Sequence, residues 1–303
     1  METRVQQAPP MRRTAWAKVN LTLHVIARRA DGYHELDSLI VFAGCGDALE
    51  FAPAGEISLS MEGPFAPALA GAALEENLAM RAARRLRAHG GTAAGARISL
   101  YKALPVAAGL GGGSADAAAT LQGLNALWGL GASDADLAAI GLELGADVPV
   151  CLDGRPSMVG GIGERIAPGP ALPPAWLVLV NPGVGVATPA VFAARQGAFA
   201  APVSPPGALR DAAGLARWLA AGRNDLEAAA RGLAPEIGHI LAALGSVEDC
   251  LLARMSGSGA TCFGLFAARA PAEVAVARLR AAHGGWWVRA AEVRGPTRNC
   301  RGS

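Results

Sequence analysis

The chain has 303 residues and a mass of 30.6 kDa, enough for about two domains. Its 27 Lys and Arg residues nearly balance 25 Asp and Glu residues, and a net charge of +2 gives no electrostatic reason to expect nucleic acid or membrane as a partner. The hydrophobic content of 52% excludes a disordered chain, and no apolar run approaches the length of a membrane span. Because no apolar segment follows the charged N-terminus and the five cysteines are scattered, we expect a cytoplasmic protein without disulfides or zinc sites.

The first predicted element is a strand with a polar face. Polar side chains recur there at every second position: Lys18, Asn20, Thr22 and His24. Such a face is either the solvent-exposed side of an ordinary strand or a row of binding groups. The tetrapeptide Asp-Gly-Tyr-His at residues 31–34 is typical of a turn. A predicted helix over residues 78–89 and a predicted strand over residues 97–102 follow.

A glycine-rich loop is the strongest local signal. Residues 105–117 have the sequence PVAAGLGGGSADA, and a helix is predicted from about Ser114 to Trp128. Backbone amides in such a run, with the positive end of a helix dipole, favour a bound phosphate. The loop lacks the lysine of a P-loop and the last glycine of the Rossmann pattern. The alternative is a tight turn in which Ser114 and Asp116 only stabilise the helix.

The pattern of elements then divides the chain in two. A helix is predicted from a Ser133 cap to near Gly145, and prolines and glycines concentrate between residues 155 and 174. We place the domain boundary there, which gives domains 1–165 and 166–303. The second half has the order strand, helix, strand, strand, helix, strand, which predicts a ferredoxin-like sandwich; the segments are 176–180, 235–245, 251–255, 261–267, 271–283 and 286–293. The segment RMSGSGAT, taken alone, is a connection between two strands.

Taken together, these segments resemble the GHMP kinase superfamily. The resemblance is carried by AKVNLTLHVIARRADGYHELDSL, LPVAAGLGGGSADAA, LGADVPVCLDG, NPGVGVATPAVF and RMSGSGATCF, and it extends from about residue 15 to about residue 293. The opening with DGYH is similar to the superfamily members that phosphorylate a cytidine-diphosphate-linked methylerythritol. The resemblance implies an α+β fold, with a ribosomal-protein-S5-like N-terminal domain that binds ATP and a ferredoxin-like C-terminal domain. It also implies that the substrate lies in the cleft between the two domains.

The resemblance implies roles for two catalytic residues. Asp147 is expected to act as the general base toward the acceptor hydroxyl, and Lys18 is expected to pair with it and stabilise the developing alkoxide. Without the resemblance, Asp147 would be an exposed turn residue and Lys18 a surface lysine. Substrate contacts are implied for Asn20, Tyr33, His34, Thr188 and Phe192. We further predict that Tyr33 and Phe192 stack on opposite faces of the cytosine. The alternatives are a helix cap for Thr188 and core packing for Phe192.

ATP contacts are also implied by the resemblance. They involve Pro105, Gly109, Leu110, Gly111, Gly112, Gly113, Ser114, Ala115, Asn77 and Lys102, although Asn77 and Lys102 could equally be capping or solvated residues. Phosphoryl transfer from ATP normally needs Mg²⁺. The sequence singles out no ligand for this ion among Asp116, Asp153 and Glu164.

The expected reaction transfers the γ-phosphoryl group of ATP to the 2-hydroxyl of the cytidine-linked polyol, in the non-mevalonate route to isoprenoids. We expect a monomer or weak homodimer with no nucleic-acid or membrane partner. Two alternatives stay open. One is another GHMP kinase, acting on homoserine or mevalonate, which would not be expected to carry DGYH. The other is a catalytically silent nucleotide-binding regulator, against which the presence of both Lys18 and Asp147 weighs.

Overall fold

A computed structural model describes residues 10–199, 201–203 and 207–295. Within this part of the chain there are two compact units: the first comprises residues 10–15, 47–103 and 113–152, and the second comprises residues 16–46, 104–112 and those from 153 onward. The predicted domains 1–165 and 166–303 are a different division of the chain and stay a prediction. Residues 1–9, and part of a second proline-rich segment over residues 198–207, lie outside the described residues. None of the described helices is long and apolar enough to cross a membrane.

The strands are β1 (Met11–Asn20), β2 (His24–Arg28), β3 (His34–Ala54), β4 (Ile57–Glu62), β5 (Gly95–Tyr101), β6 (Ser157–Gly161), β7 (Arg165–Pro168), β8 (Trp176–Asn181), β9 (Leu252–Met255), β10 (Cys262–Phe266) and β11 (Trp287–Glu292). The helices are α1 (Leu78–His89), α2 (Gly112–Trp128), α3 (Asp134–Leu144), α4 (Val148–Asp153), α5 (Thr188–Ala194), α6 (Ala212–Ala221), α7 (Glu227–Leu233), α8 (Glu236–Gly245) and α9 (Arg269–Ala282). Two short 3₁₀ helices, Ala66–Leu69 and Leu74–Glu76, precede α1.

The first unit packs α1, α2 and α3 around one aliphatic core. Strand β4 pairs in parallel with β5, which pairs antiparallel with residues 48–54 of β3. The side chains of Phe51, Leu86 and Ile98 are fully buried in this core. Gly123 lets α2 approach the sheet, since a Cβ at this position would overlap the ring of Phe51. The alanine-rich sequence of α2 is therefore the packing surface of a buried helix.

The second unit contains a four-stranded antiparallel sheet in the order β11-β8-β10-β9. In chain order this is the fourth, first, third and second strand, so the predicted ferredoxin-like arrangement is confirmed. Successive residues of β8 enter two different hydrophobic clusters: Leu177 and Leu179 pack in one, and Val178 and Val180 in the other. Because both faces of β8 are covered, this strand has a continuous apolar sequence.

The predicted strand with a polar face is interrupted. Strand β1 ends at Asn20 and β2 begins at His24, because the chain changes partners between them: the N–H of Leu21 donates to Leu39, whereas that of Leu23 donates to Arg223. The polar residues on both sides of the break are all buried, so the solvent-exposed interpretation of this face was wrong; they are Lys18, Asn20, Thr22 and His24.

Candidate active site

In the structure the glycine loop comprises residues 104–112, because α2 begins at Gly112. Two other segments of the second unit hold this loop. The backbone N–H of Lys18 in β1 donates to the carbonyl of Leu110 at 2.9 Å. The N–H of Thr261, at the end of the β9–β10 connection, donates to the carbonyl of Ala108 at 3.1 Å. The structure thus brings together three segments that the sequence analysis had singled out separately.

Ser256 joins these three segments through its side chain. It is fully buried, its Oγ donates to the carbonyl of Gly109 at 2.9 Å, and it accepts the N–H of Asn20 at 3.1 Å. Gly109 has a φ of +73°, and a Cβ there would collide with the carbonyl oxygen of Ser256. Residues 254–261 do connect two antiparallel strands, as one interpretation proposed, but this connection also supports the glycine loop.

Lys18 lies against the same loop. Gly111 has a φ of +62°, and a Cβ at this position would lie 3.1 Å from Cε of Lys18. The lysine is only 5% exposed, so the interpretation of a surface lysine was wrong. Pro105 and Leu110 are also buried, which indicates that their side chains anchor the loop. The glycine at position 111 leaves room for the aliphatic part of Lys18.

Helix α2 begins at Gly112, two residues before the predicted start. Ser114 is therefore the third residue of the helix and cannot be its cap. In this first turn Gly113 is exposed, Ser114 is half-buried and Ala115 is buried. The amides of a first helical turn have no acceptor within the helix, and together with the helix dipole they can bind an anion.

Lys102 belongs to a buried charge cluster in the first unit. Its Nζ donates to Oδ2 of Asp116 at 2.7 Å and to a carboxylate oxygen of Asp47, and we call these three residues the Lys102 cluster. Burial raises the pKa of Asp116 to about 7 against the attraction of Lys102, and Asp47 adds to the rise. Burial alone would lower the pKa of Lys102, but the two carboxylates outweigh it and raise that pKa. The interpretation of Lys102 as a solvated residue was wrong.

Asn77 caps helix α1. Its side-chain oxygen accepts the N–H of Ala79 at 2.9 Å, and its amide nitrogen lies 3.5 Å from the sulfur of Met61. The capping interpretation of Asn77 is therefore confirmed. Its expected contribution to ATP binding stays a prediction.

Asp147 lies in the turn between α3 and α4. The turn follows Gly145, whose N–H closes the last turn of α3 by donating to Gly141. Asp147 is half-buried, whereas the sequence predicted an exposed residue. The next residue, Val148, is fully buried, and this anchors the turn against the core.

Asn20 presents a hydrogen-bond acceptor in a buried place. Its amide nitrogen donates to Ser38 Oγ at 2.8 Å, and Ser38 in turn donates to the carbonyl of Thr22 at 2.5 Å. The other amide atom, Oδ1, is buried and has no hydrogen-bond partner among the residues that the structure describes. This oxygen can accept a hydrogen bond from a ligand.

Thr188 is the first residue of α5, and the cap position is occupied by Ala187. The interpretation of Thr188 as a helix cap was therefore wrong. Its hydroxyl is 2.7 Å from the hydroxyl of Ser258 in the β9–β10 connection. The pair presents two polar groups that can bind a ligand oxygen.

An imidazole and a phenyl ring stack in the second unit. The ring centroids of His34 and Phe192 are 5.1 Å apart, and the angle between the ring planes is 19°. Burial lowers the pKa of His34, and Arg28 and Arg195 lower it further, which favours the neutral form of the ring. Phe192 also packs against the core, which its alternative interpretation proposed. Tyr33 is 61% exposed, and its expected stacking on cytosine stays a prediction.

Comparisons with known proteins identify the family. The GHMP kinases N terminal domain matches residues 77–155, and the GHMP kinases C terminal domain matches residues 206–284. A protein of Paramagnetospirillum magneticum named 4-diphosphocytidyl-2-C-methyl-D-erythritol kinase is 55% identical over 279 residues, which cover 91% of this chain and 96% of the relative. The chain belongs to the 4-diphosphocytidyl-2-C-methyl-D-erythritol kinase family.

Solved structures agree with this family assignment. A crystal structure of 4-(cytidine 5'-diphospho)-2C-methyl-D-erythritol kinase has a TM-score of 0.77 and 37% identity, covering 94% of this chain and all of that one. Homoserine kinase from Cytophaga hutchinsonii has a TM-score of 0.68, with coverage of 98% and 99%, but at 18% identity it supports the fold alone. The predicted α+β GHMP kinase fold is confirmed. As a member of this kinase family, the protein is an ATP-dependent enzyme that acts on a small molecule.

Three residues that make buried contacts in the two units had no predicted role. Ser256 and Ser258 were expected only as small residues of a connecting loop, and Asp47 was not singled out. The repeated serine and glycine of the motif SGSG was the available signal for the two serines. For Asp47 there was no local signal, because its partner Lys102 is 55 residues away in the sequence.

Proposed function

We propose that this kinase transfers the γ-phosphoryl group of ATP to the 2-hydroxyl of 4-diphosphocytidyl-2-C-methyl-D-erythritol, giving the 2-phosphate and ADP. This reaction belongs to the non-mevalonate route to isoprenoid precursors. The names of the relatives at 50–55% identity support the choice of substrate. The observation that carries the proposal is the position of Lys18, a buried cation against Gly111 of a loop suited to phosphate.

In the proposed reaction the oxygen of the 2-hydroxyl forms a bond to the γ-phosphorus as the bond from that phosphorus to the β,γ-bridging oxygen breaks. The hydroxyl proton passes to the carboxylate of Asp147, which acts as the general base. The ammonium group of Lys18 stabilises the negative charge that develops during transfer. The backbone amides of the glycine loop and the first turn of α2 hold the phosphates of ATP.

We propose that ATP binds as its Mg²⁺ complex. When bound, the ion would neutralise charge on the β- and γ-phosphates. The described part of the chain contains no group of three or more His, Cys, Asp or Glu residues that could hold a metal ion. Mg²⁺ in such sites takes many of its ligands from phosphates and water, so we assign no ligand set to the protein.

Polar and aromatic groups of the second unit bind the cytidine-linked substrate in the proposed reaction. The buried Oδ1 of Asn20 can accept a hydrogen bond, and the hydroxyl of Thr188 can bind a ligand oxygen. The stacked rings of His34 and Phe192 offer the kind of surface on which a pyrimidine stacks. We further propose that the enzyme is cytoplasmic, acts as a monomer or weak homodimer, and binds neither nucleic acid nor membrane, which its small net charge favours.

The test measures ADP release from MgATP with and without the cytidine-linked substrate, and locates the new phosphate by ³¹P NMR. We expect ADP release that depends on this acceptor and a product phosphorylated at the 2-hydroxyl. Homoserine and mevalonate serve as comparison acceptors. Faster turnover with either would support another GHMP kinase activity, and no turnover with any acceptor would support a silent nucleotide-binding regulator.

A further inference from the structure

The Lys102 cluster buries three ionisable groups almost completely. Asp47, Lys102 and Asp116 are 0%, 3% and 4% exposed. One ammonium group serves two carboxylates, so the cluster has an excess negative charge when both are ionised. One oxygen of Asp116, Oδ1, is buried and lacks a hydrogen-bond partner within the described ranges.

The hydrogen bonds of the cluster end at the residues that flank the glycine loop in the chain. Oδ1 of Asp47 accepts the backbone N–H of Ala103 at 2.6 Å, and Ala103 is the last residue before the loop. Asp116, the other partner of Lys102, lies near the start of α2, which begins with the last residue of the loop. Strand β5 ends immediately before Lys102. The cluster therefore connects the chain entering the loop to the helix that leaves it.

We infer that the Lys102 cluster positions the glycine loop for ATP, so that Lys102 and Asp116 act on nucleotide binding through the backbone and without touching the nucleotide. This inference depends on the proposed function, because it takes the loop and α2 as the ATP phosphate site. It gives Lys102 a different role from the direct ATP contact that the resemblance implied.

Buried charges such as those of the Lys102 cluster fix positions more effectively than they add stability. Burying charges costs desolvation free energy, and a buried ion pair can often be replaced by apolar residues without loss of stability. Charge-assisted hydrogen bonds are short and directional, and here they hold Ala103 and α2 at defined positions. A group that binds phosphate through backbone amides needs such fixed positions, because preorganised donors cost nothing further to orient on binding.

The experiment compares Lys102→Met with the neutral triple variant Asp47→Asn, Lys102→Met, Asp116→Asn. The triple variant removes all three charges and so avoids an unpaired buried carboxylate. The matched control is Arg85→Met, which breaks the exposed 3.2 Å ion pair between Arg85 and Glu143 in the same unit. For each protein we measure ATP affinity by calorimetry, the KM of the acceptor, and the melting temperature.

We expect ATP affinity to fall by about 10- to 100-fold in both cluster variants, the effect of losing charge-assisted hydrogen bonds. The KM of the acceptor should stay within about threefold, and Arg85→Met should behave as the wild type. Lys102→Arg keeps the charge and both donors, so it should retain more ATP affinity than Lys102→Met. A loss of ATP affinity with an almost unchanged KM of the acceptor is not expected from a general loss of stability.

Three results would overturn the inference. One is a folded triple variant with wild-type ATP affinity. Another is an equal loss of affinity for ATP and acceptor. The third is failure of both cluster variants to fold while the control folds, which would make the cluster a folding element. If the wild-type protein phosphorylates the acceptor and the folded triple variant keeps wild-type ATP affinity, only this inference is contradicted. If the wild-type protein binds no ATP, the proposed function is contradicted as well.

Discussion

Lys18 is a lysine that is almost completely buried. Its stem lies along Gly111, and its backbone N–H is bonded to Leu110 in the same loop. Charges interact more strongly where the surroundings are less polarisable than bulk water. A cation held in this way can stabilise phosphate charge to a degree that a solvated surface lysine cannot.

Asp147 gives the first prediction at the residue scale. Asp147→Asn should lower kcat by about 10²-fold or more, because general-base catalysis typically contributes 10²–10⁴-fold. ATP affinity should change by no more than a few-fold. The control is Asp134→Asn, the same substitution at an exposed position of α3. A variant at position 147 that kept more than a tenth of the wild-type kcat would remove this residue from the role of general base.

Phe192 gives the second prediction, and two substitutions separate stacking from packing. If its ring stacks on the cytosine, Phe192→Ala should raise the KM of the cytidine-linked substrate by about 5- to 100-fold with a smaller effect on kcat. Phe192→Leu keeps most of the apolar volume but lacks the aromatic face, so it should show a similar loss. Steady-state kinetics checks both variants. If Leu restores the wild-type KM, core packing is the role of this side chain.

At the scale of elements, the glycine loop depends on a backbone conformation. Gly111 and Gly129 both have a φ of +62°, but only at Gly111 would a Cβ approach another residue, Lys18. Gly111→Val and Gly129→Val should therefore carry the same backbone strain. Only Gly111→Val should abolish ATP binding, measured by calorimetry on folded protein. Unchanged ATP affinity in that variant would show that the loop does not bind phosphate.

The Lys102 cluster, which connects the end of β5 to α2, gives a prediction about the pH dependence of stability. Burial raises the pKa of Asp116 from 3.8 to about 7, so between these values the unfolded chain has lost a proton that the folded chain retains. Stability from this group is therefore greatest at low pH and falls as the pH rises toward 7. Urea unfolding should show that the free energy of unfolding of the wild type, relative to that of Asp116→Asn, decreases between pH 5 and pH 8. A pH-independent difference, or one of opposite sign, would contradict the raised pKa.

Elements with strong local signals could be predicted from the sequence. Ser133 and Asp136 form the reciprocal capping box that begins α3, and Asn77 and Gly90 lie at the ends of α1. The start of α2 was placed too late because glycine is a poor helix former, although Gly112 and Gly113 both lie within its first turn. The break in the first strand depends on partners distant in sequence, so alternation alone could not show it.

At the scale of the whole molecule, the candidate site is built from long-range contacts. Asn20 and Ser256 are bonded across 236 positions of sequence. The segments that form the candidate site could be recognised in the sequence. The first strand has a row of polar residues, and the two loops are unusually rich in glycine and serine. The sequence could not show that Ser256 supports Gly109 or that Asp47 binds Lys102, since such pairings are set only when the chain folds.

The choice of acceptor is the central test of the proposed function. Both the family assignment and the stacked rings of His34 and Phe192 support a cytidine-linked substrate. The measurement is kcat/KM with MgATP for 4-diphosphocytidyl-2-C-methyl-D-erythritol and for methylerythritol phosphate without the nucleotide. We predict a preference of at least about 10²-fold for the cytidine-linked acceptor, since stacking and hydrogen bonds to the base are lost without it. Equal values of kcat/KM for the two acceptors would contradict the proposed substrate and the role of the stacked rings.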